Sequence, residues 1–195
     1  MINYVRFVCQ DSVKRRKLPA QEVYSSVATA KNIKEVICIA AWHGLPLIMA
    51  DIKTAFPTTT LPDHLRGKIF LKLPKCLGDL CFEMITCIEG FQLSNNIYDS
   101  TIKTGLKEEG FRIFPGDEQM ITKSTTDGHF ILAAQVVDNF IITSTCPDLV
   151  TQLYHAVENM GYILNTEADD KFIGPYGDIH VNQERHIRKL MVKYR

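Results

Sequence analysis

Two aspartates of this 195-residue chain stand where a carboxylate is costly unless something uses it. Asp51 falls at the end of the short, largely apolar stretch Leu45–Ile52, and Asp138 lies in a polar step between the apolar runs Phe130–Val137 and Phe140–Thr143. An unpartnered charge among core strands is strongly disfavoured. If the strands are neighbours, their ends bring the two carboxylates side by side, a geometry that repels unless a divalent cation bridges it. Oxygen ligands completed by substrate phosphates are the usual setting of Mg²⁺. The plain alternative is a pair of unrelated aspartates at loop edges, and spacing alone leaves both readings open.

The elements that would position them can be read from periodicity. Asn32 to His43 carries Ile33, Val36, Ile37, Ala40 and Ala41 at helical spacing, with Asn32 as N-cap and Gly44 as stop. A strand follows through Leu45–Ile52. Ser94 to Glu109 reads as a second helix with Ile97, Tyr98, Ile102 and Leu106 on one side and Gly110 closing it. A hairpin then joins 119–123 to 130–137 through Thr126, Asp127 and Gly128, and Asp138 and Asn139 form a second turn into 140–143. Pro147 opens a third helix that runs to Gly161. A strand pair near 171–173 and 178–181 and a basic terminal helix complete the order. Hairpins mixed with helices predict an α+β fold, an antiparallel sheet with helices packed on one face. Trp42, the single tryptophan, is expected to pack or to anchor a helix end.

Apolar residues make up 46% of the chain and charged residues 23%, enough for an ordinary core in one domain over 1–195. No stretch approaches the roughly 20 apolar residues of a membrane-spanning helix, and no signal-peptide pattern opens the sequence, so an intracellular location without membrane contact is expected. Six cysteines contain no CxxC and no finger-like spacing, which favours reduced thiols over a zinc site. Net charge is zero, but residues 1–40 hold seven basic against three acidic side chains and residues 185–195 hold five basic and none acidic. Basic ends around an acidic centre suit a cleft that meets phosphates at its rim; solvated charge on the chain ends explains them equally.

Five blocks add a resemblance. QEVYSSVA (21–28), DIKTAF (51–56), IEGFQLSNNIYDSTIKTGLKEEGF (88–111), QVVDNFIIT (135–143), and KFIG with VNQERHIRKLMVKY (171–174, 181–194) occur in that order. Together they resemble the reverse transcriptase domain of copia-type LTR retrotransposons, whose members read ETFSPVA, DVKTAFLNG, LYGLKQAPRQWYEKL, YVDD, FLG and QEKYIEKLLEKF. The resemblance implies a right-hand polymerase palm (46–56 and 86–195) with fingers (1–45 and 57–85), the thumb absent. It implies Asp51 and Asp138 as Mg²⁺ ligands, the Ile52 carbonyl as a further one, Phe56 as the gate against a ribose 2′-hydroxyl, Arg6 at the nucleotide, and Gly90 where ligand approaches backbone. An RNA–DNA hybrid or RNA is the implied nucleic acid, with other protein subunits as the source of the missing thumb surface.

The departures fall on the chemistry. Asn139 stands where the family has its second aspartate of YVDD, and Glu89, Gln92, Leu93, Asn95 and Asn96 replace Tyr, Lys, Gln, Pro and Arg. Arg6 is kept but its neighbouring lysine is lost, and Pro57, Thr58 and Thr59 replace LNG. Each lost transition-state charge contact costs about 2 to 4 kcal/mol, so several leave little catalysis. The expectation is a catalytically defective reverse-transcriptase-like domain, either a retrotransposon remnant or a co-opted structural or nucleic-acid-binding protein. The competing expectation is a weakly active Mg²⁺-dependent RNA-directed DNA polymerase.

Overall fold

The computed structural model describes residues 8–9, 25, 28–73, 78 and 80–166. The expected strands near 171–173 and 178–181, the terminal helix and Arg6 lie outside these residues.

Helix α1 (Ala30–His43) starts two residues before Asn32, because Thr29 is the N-cap and Asn32 closes a capping box with it. Asn32 is thereby buried, and its amide also reaches the Asp117 carboxylate. Gly44 ends the helix in the left-handed conformation, at φ 62°, as the sequence predicts. Strand β1 (Leu47–Lys53) follows, then the single turn α2 (Ala55–Thr58) and a small ribbon of β2 (Phe70–Lys72) and β3 (Cys81–Glu83). Beyond it come α3 (Ser94–Glu108), the strands β4 (Arg112–Phe114), β5 (Asp117–Ser124), β6 (Phe130–Val136) and β7 (Asn139–Ser144), then α4 (Pro147–Asn159) and β8 (Ile163–Thr166).

Six strands form one antiparallel sheet in the order β4-β5-β6-β7-β1-β8. Its β8-β1-β7-β6 part, joined by α3 and α4, is the arrangement of a split βαβ pair, with the β4–β5 hairpin added at the edge. This topology sets β1 between β7 and β8, so Asp51 has a paired strand on either side.

The helices cover both faces, which corrects the one-face expectation. Helices α3 and α4 bury Tyr98, Ile102, Leu106, Leu149, Leu153 and Val157 against Ala50, Ile52, Ile131, Ala133, Phe140 and Ile142. On the opposite face α1 lays Val36 over Met120, Leu132 and Ala134. Alternation along β6 makes this necessary: Ile131 and Ala133 point one way, Leu132 and Ala134 the other, and all four are buried. Gly105 fits the α3–α4 crossing, since a Cβ there would lie 2.0 Å from the Met160 sulfur. Trp42 is a second correction: it is 87% exposed on the outer side of α1.

A separate cluster of Leu61, Ile69, Met84, Cys87, Phe91, Leu93 and Ile97 lies beside the β2–β3 ribbon. Phe56 packs against both clusters, and the Thr59 hydroxyl meets the Tyr162 hydroxyl at 2.9 Å.

Candidate metal and nucleotide site

Register decides what meets Asp51. In β1–β7 it stands opposite Asn139, and in β1–β8 opposite Asn165. The Ile52 amide donates to the Asp138 carbonyl at 2.8 Å, one rung further on, so Ile52 and Asp138 form the closing hydrogen-bonded pair of this ladder. Asp51 and Asn139 are then a non-hydrogen-bonded pair, the kind whose Cα atoms are about 4.5 Å apart and whose side chains share a face. The two aspartates of distant sequence blocks thus lie on neighbouring rungs at one end of the sheet, with Asn139 and Asn165 opposite Asp51.

The turn between β6 and β7 consists of Val137 and Asp138, not Asp138 and Asn139 as predicted; Asn139 is already in the ladder, opposite Val136. A two-residue hairpin of this kind demands positive φ at its first residue, a place that glycine usually takes. Val137 holds φ 57°, a strained value for a β-branched residue. Gln135 counters it by donating from Nε2 to the Val137 carbonyl at 3.2 Å. Asn139 Nδ2 donates to Asp138 Oδ1 at 3.2 Å, so this amide braces the carboxylate. Thr54, directly after β1, is the other described non-glycine residue with positive φ, at 51°. Both strained residues border the same site.

Tyr98 lies behind the carboxylates. Its hydroxyl is buried without a hydrogen-bond partner, as is Gln135 Oε1. Together with Asp99, Gln119 and Val137 they line a cavity of about 10 Å³ beneath the turn. Burial raises the Tyr98 hydroxyl pKa far above its usual value, and the neighbouring Tyr162 and the charges of Asp138, Asp99 and Asp51 push it the same way. Asp99 is engaged elsewhere, bonded to Lys103 at 2.6 Å and to Gln119 at 3.2 Å.

The other expected residues are placed as follows. The Ile52 side chain is core, and its backbone faces the turn through the bond to Asp138. Phe56 is half-buried, with its ring edge-to-face on Tyr98 at 5.7 Å; its contacts are packing contacts. Gly90 does permit a close backbone approach, and the approaching group is the chain's own Cys9 carbonyl, which would lie 2.1 Å from an added Cβ. The Cys9 amide bonds to the Glu89 carbonyl at 2.7 Å, fixing that contact.

Asn165, Tyr98 and Gln135 are the neighbours that sequence reasoning missed. Asn165 belongs to a strand directly after Gly161 where only a connection was expected, although Tyr162, Ile163 and Leu164 were the available signal.

Among the described residues no group of three or more His, Cys, Asp or Glu side chains could hold a metal ion. Asp51 and Asp138 are two carboxylates at one end of the sheet, and a Mg²⁺ ion is commonly held by one or two carboxylates, with waters and phosphate oxygens as its remaining ligands. They do not form a closed all-protein cage. No protein-family model matches the chain, and no curated protein matches it.

Proposed function

We propose that this chain is a copia-type reverse-transcriptase-like domain that retains a palm-like divalent cation site at Asp51 and Asp138 and has lost efficient polymerisation. The reading is carried by one observation: two aspartates 87 positions apart are brought to the same end of the sheet, on β1 and on the β6–β7 turn. The order of motifs and the split βαβ topology support it. When bound, the cation would neutralise phosphate charge; the chain's own part is to hold two carboxylates in fixed register and brace one through Asn139.

With Asn139 rather than a second carboxylate beside Asp138, that task lacks a full charge, at a cost of about 2 to 4 kcal/mol. An RNA–DNA hybrid is the proposed polymer ligand. The second reading, a slow RNA-directed DNA polymerase, draws on the same adjacency, because Asp51 and Asp138 are still neighbours.

Primer extension on an RNA template with an annealed DNA primer separates the two, in Mg²⁺ and in Mn²⁺. The unmodified chain is expected to be as silent as Asp51→Ala, with partial recovery in Asn139→Asp. Extension by the unmodified chain that disappears in Asp51→Ala would establish the slow polymerase instead. Silence in all three variants would remove the link between Asn139 and lost activity.

A further inference from the structure

Strands β2 and β3 share a face that stays apolar for three rungs. Leu71 stands opposite Phe82, and the ladder continues past both ends of the ribbon: the Met84 amide donates to the Ile69 carbonyl at 2.9 Å, and the Leu73 amide to the Leu80 carbonyl at 3.0 Å. Residues opposite one another in an antiparallel pair lie on one face, as do residues two positions apart along a strand. Ile69 with Met84, Leu71 with Phe82, and Leu73 with Leu80 therefore form one apolar surface about 13 Å long. Phe70, Lys72 and Glu83 point the other way. Among the described residues, the cluster beneath covers only the first rung fully. Ile69 and Met84 are buried, Leu71 and Leu73 are half-buried, and Phe82 and Leu80 are 52% and 53% exposed. The ribbon has two strands, and a sheet of that size is stable when its apolar face is packed on another layer.

We infer that this overhang is a dimerisation surface, on which the outer two rungs of a second copy of this chain pack face to face across a two-fold axis. The inference is independent of the proposed cation site. The occupant must be apolar, because no side chain on this face carries a charge or a hydrogen-bonding group to meet a polar one. It must also be short, about two rungs long. A second overhang has that chemistry and that length, and a two-fold axis sets Phe82 and Leu80 of one copy against the half-buried leucines of the other. The chain holds 22 basic and 22 acidic side chains, so no net charge opposes the approach of a like molecule. Area sets the strength. Phe82 and Leu80, with the uncovered parts of Leu71 and Leu73, present roughly 300 Å² per copy, the size of a functional surface patch but short of the roughly 800 Å² per partner of a standard stable interface. The dimer is accordingly weak and reversible, with a dissociation constant on the order of 100 μM.

Sedimentation velocity of the full chain across the micromolar range tests this, in reducing buffer so that the exposed Cys81 forms no bridge. The sedimentation coefficient is expected to rise with concentration from that of a monomer toward that of a dimer. Phe82→Ser and Leu80→Asp are each expected to weaken association about tenfold or more, and Phe70→Ser, on the outward face, to leave it within about twofold. Both inner residues are more than half exposed, so urea midpoints of Phe82→Ser and Leu80→Asp measured on dilute monomer should match the unmodified chain. A monomer at every concentration overturns the inference. A dimer that weakens in Phe70→Ser and not in Phe82→Ser assigns the outward face instead and overturns it as well, as does a dimer indifferent to all three substitutions. A monomer whose urea midpoint falls in Phe82→Ser would show that another part of the same chain covers this face, and would also overturn the dimer.

Discussion

At the residue scale the site is a balance between strain and bracing. Val137 is held at φ 57° by a two-residue turn and by the Gln135 bond to its carbonyl, and Asp138 inherits its position from both. The type of residue at each place was legible in the sequence: Asp51 closing an apolar stretch, Asp138 between apolar strands. Their neighbours were not, because a cross-strand partner depends on register, which no local pattern contains. Asn139 illustrates this; one position of shift moves it from the turn into the ladder, opposite Asp51. Tyr98 offers a clean test of the polar environment behind the carboxylates. Its hydroxyl is buried and unpartnered, so Tyr98→Phe removes a desolvation cost while keeping the ring contacts to Phe56 and Tyr162. Unfolding in urea should show stability unchanged or raised by up to about 1 kcal/mol. A loss of more than that would mean that the hydroxyl makes a bond in solution.

At the element scale the helices and most strands followed from periodicity and punctuation. Gly44 stops α1, Pro147 opens α4, and Gly128 marks the β5–β6 turn, each by a backbone preference that acts over a few residues. The layer arrangement did not follow. A run such as Phe130–Val136 reads as a strand, but burial on both faces gives no alternation from which to choose a covered side. Helix α1 is the element that this ambiguity concealed. Val36 is fully buried where α1 meets Leu132 and Ala134, so Val36→Ala should cost about 2 kcal/mol in chemical denaturation. A cost near zero would indicate that α1 does not cover that face. The same substitution leaves Asp51 and Asp138 untouched, and Mn²⁺ affinity should follow the folded fraction only.

At the scale of the whole molecule, stability and binding answer to different groups. Burial raises the Cys87 thiol to about 11, and the buried Tyr98 and Tyr162 hydroxyls are also raised. A raised pKa means the unfolded chain releases its proton first, so this stabilisation is whole below pH 9 and declines as pH climbs from 9 toward 11. For Cys87 the loss amounts to about 2 to 3 kcal/mol, and Cys87→Ala should flatten that part of the stability profile measured by urea midpoints. An unchanged slope in Cys87→Ala would assign the alkaline transition to the tyrosines. No helix among the described residues is long and apolar enough to cross a membrane.

A cation shared by Asp51 and Asp138 would be seen by Mn²⁺ binding followed by electron paramagnetic resonance. A single site is expected in the unmodified chain, with affinity at least tenfold lower in Asp51→Asn and tighter binding in Asn139→Asp, where a further carboxylate stands opposite Asp51. Binding that is absent, or that is indifferent to both substitutions, would contradict it.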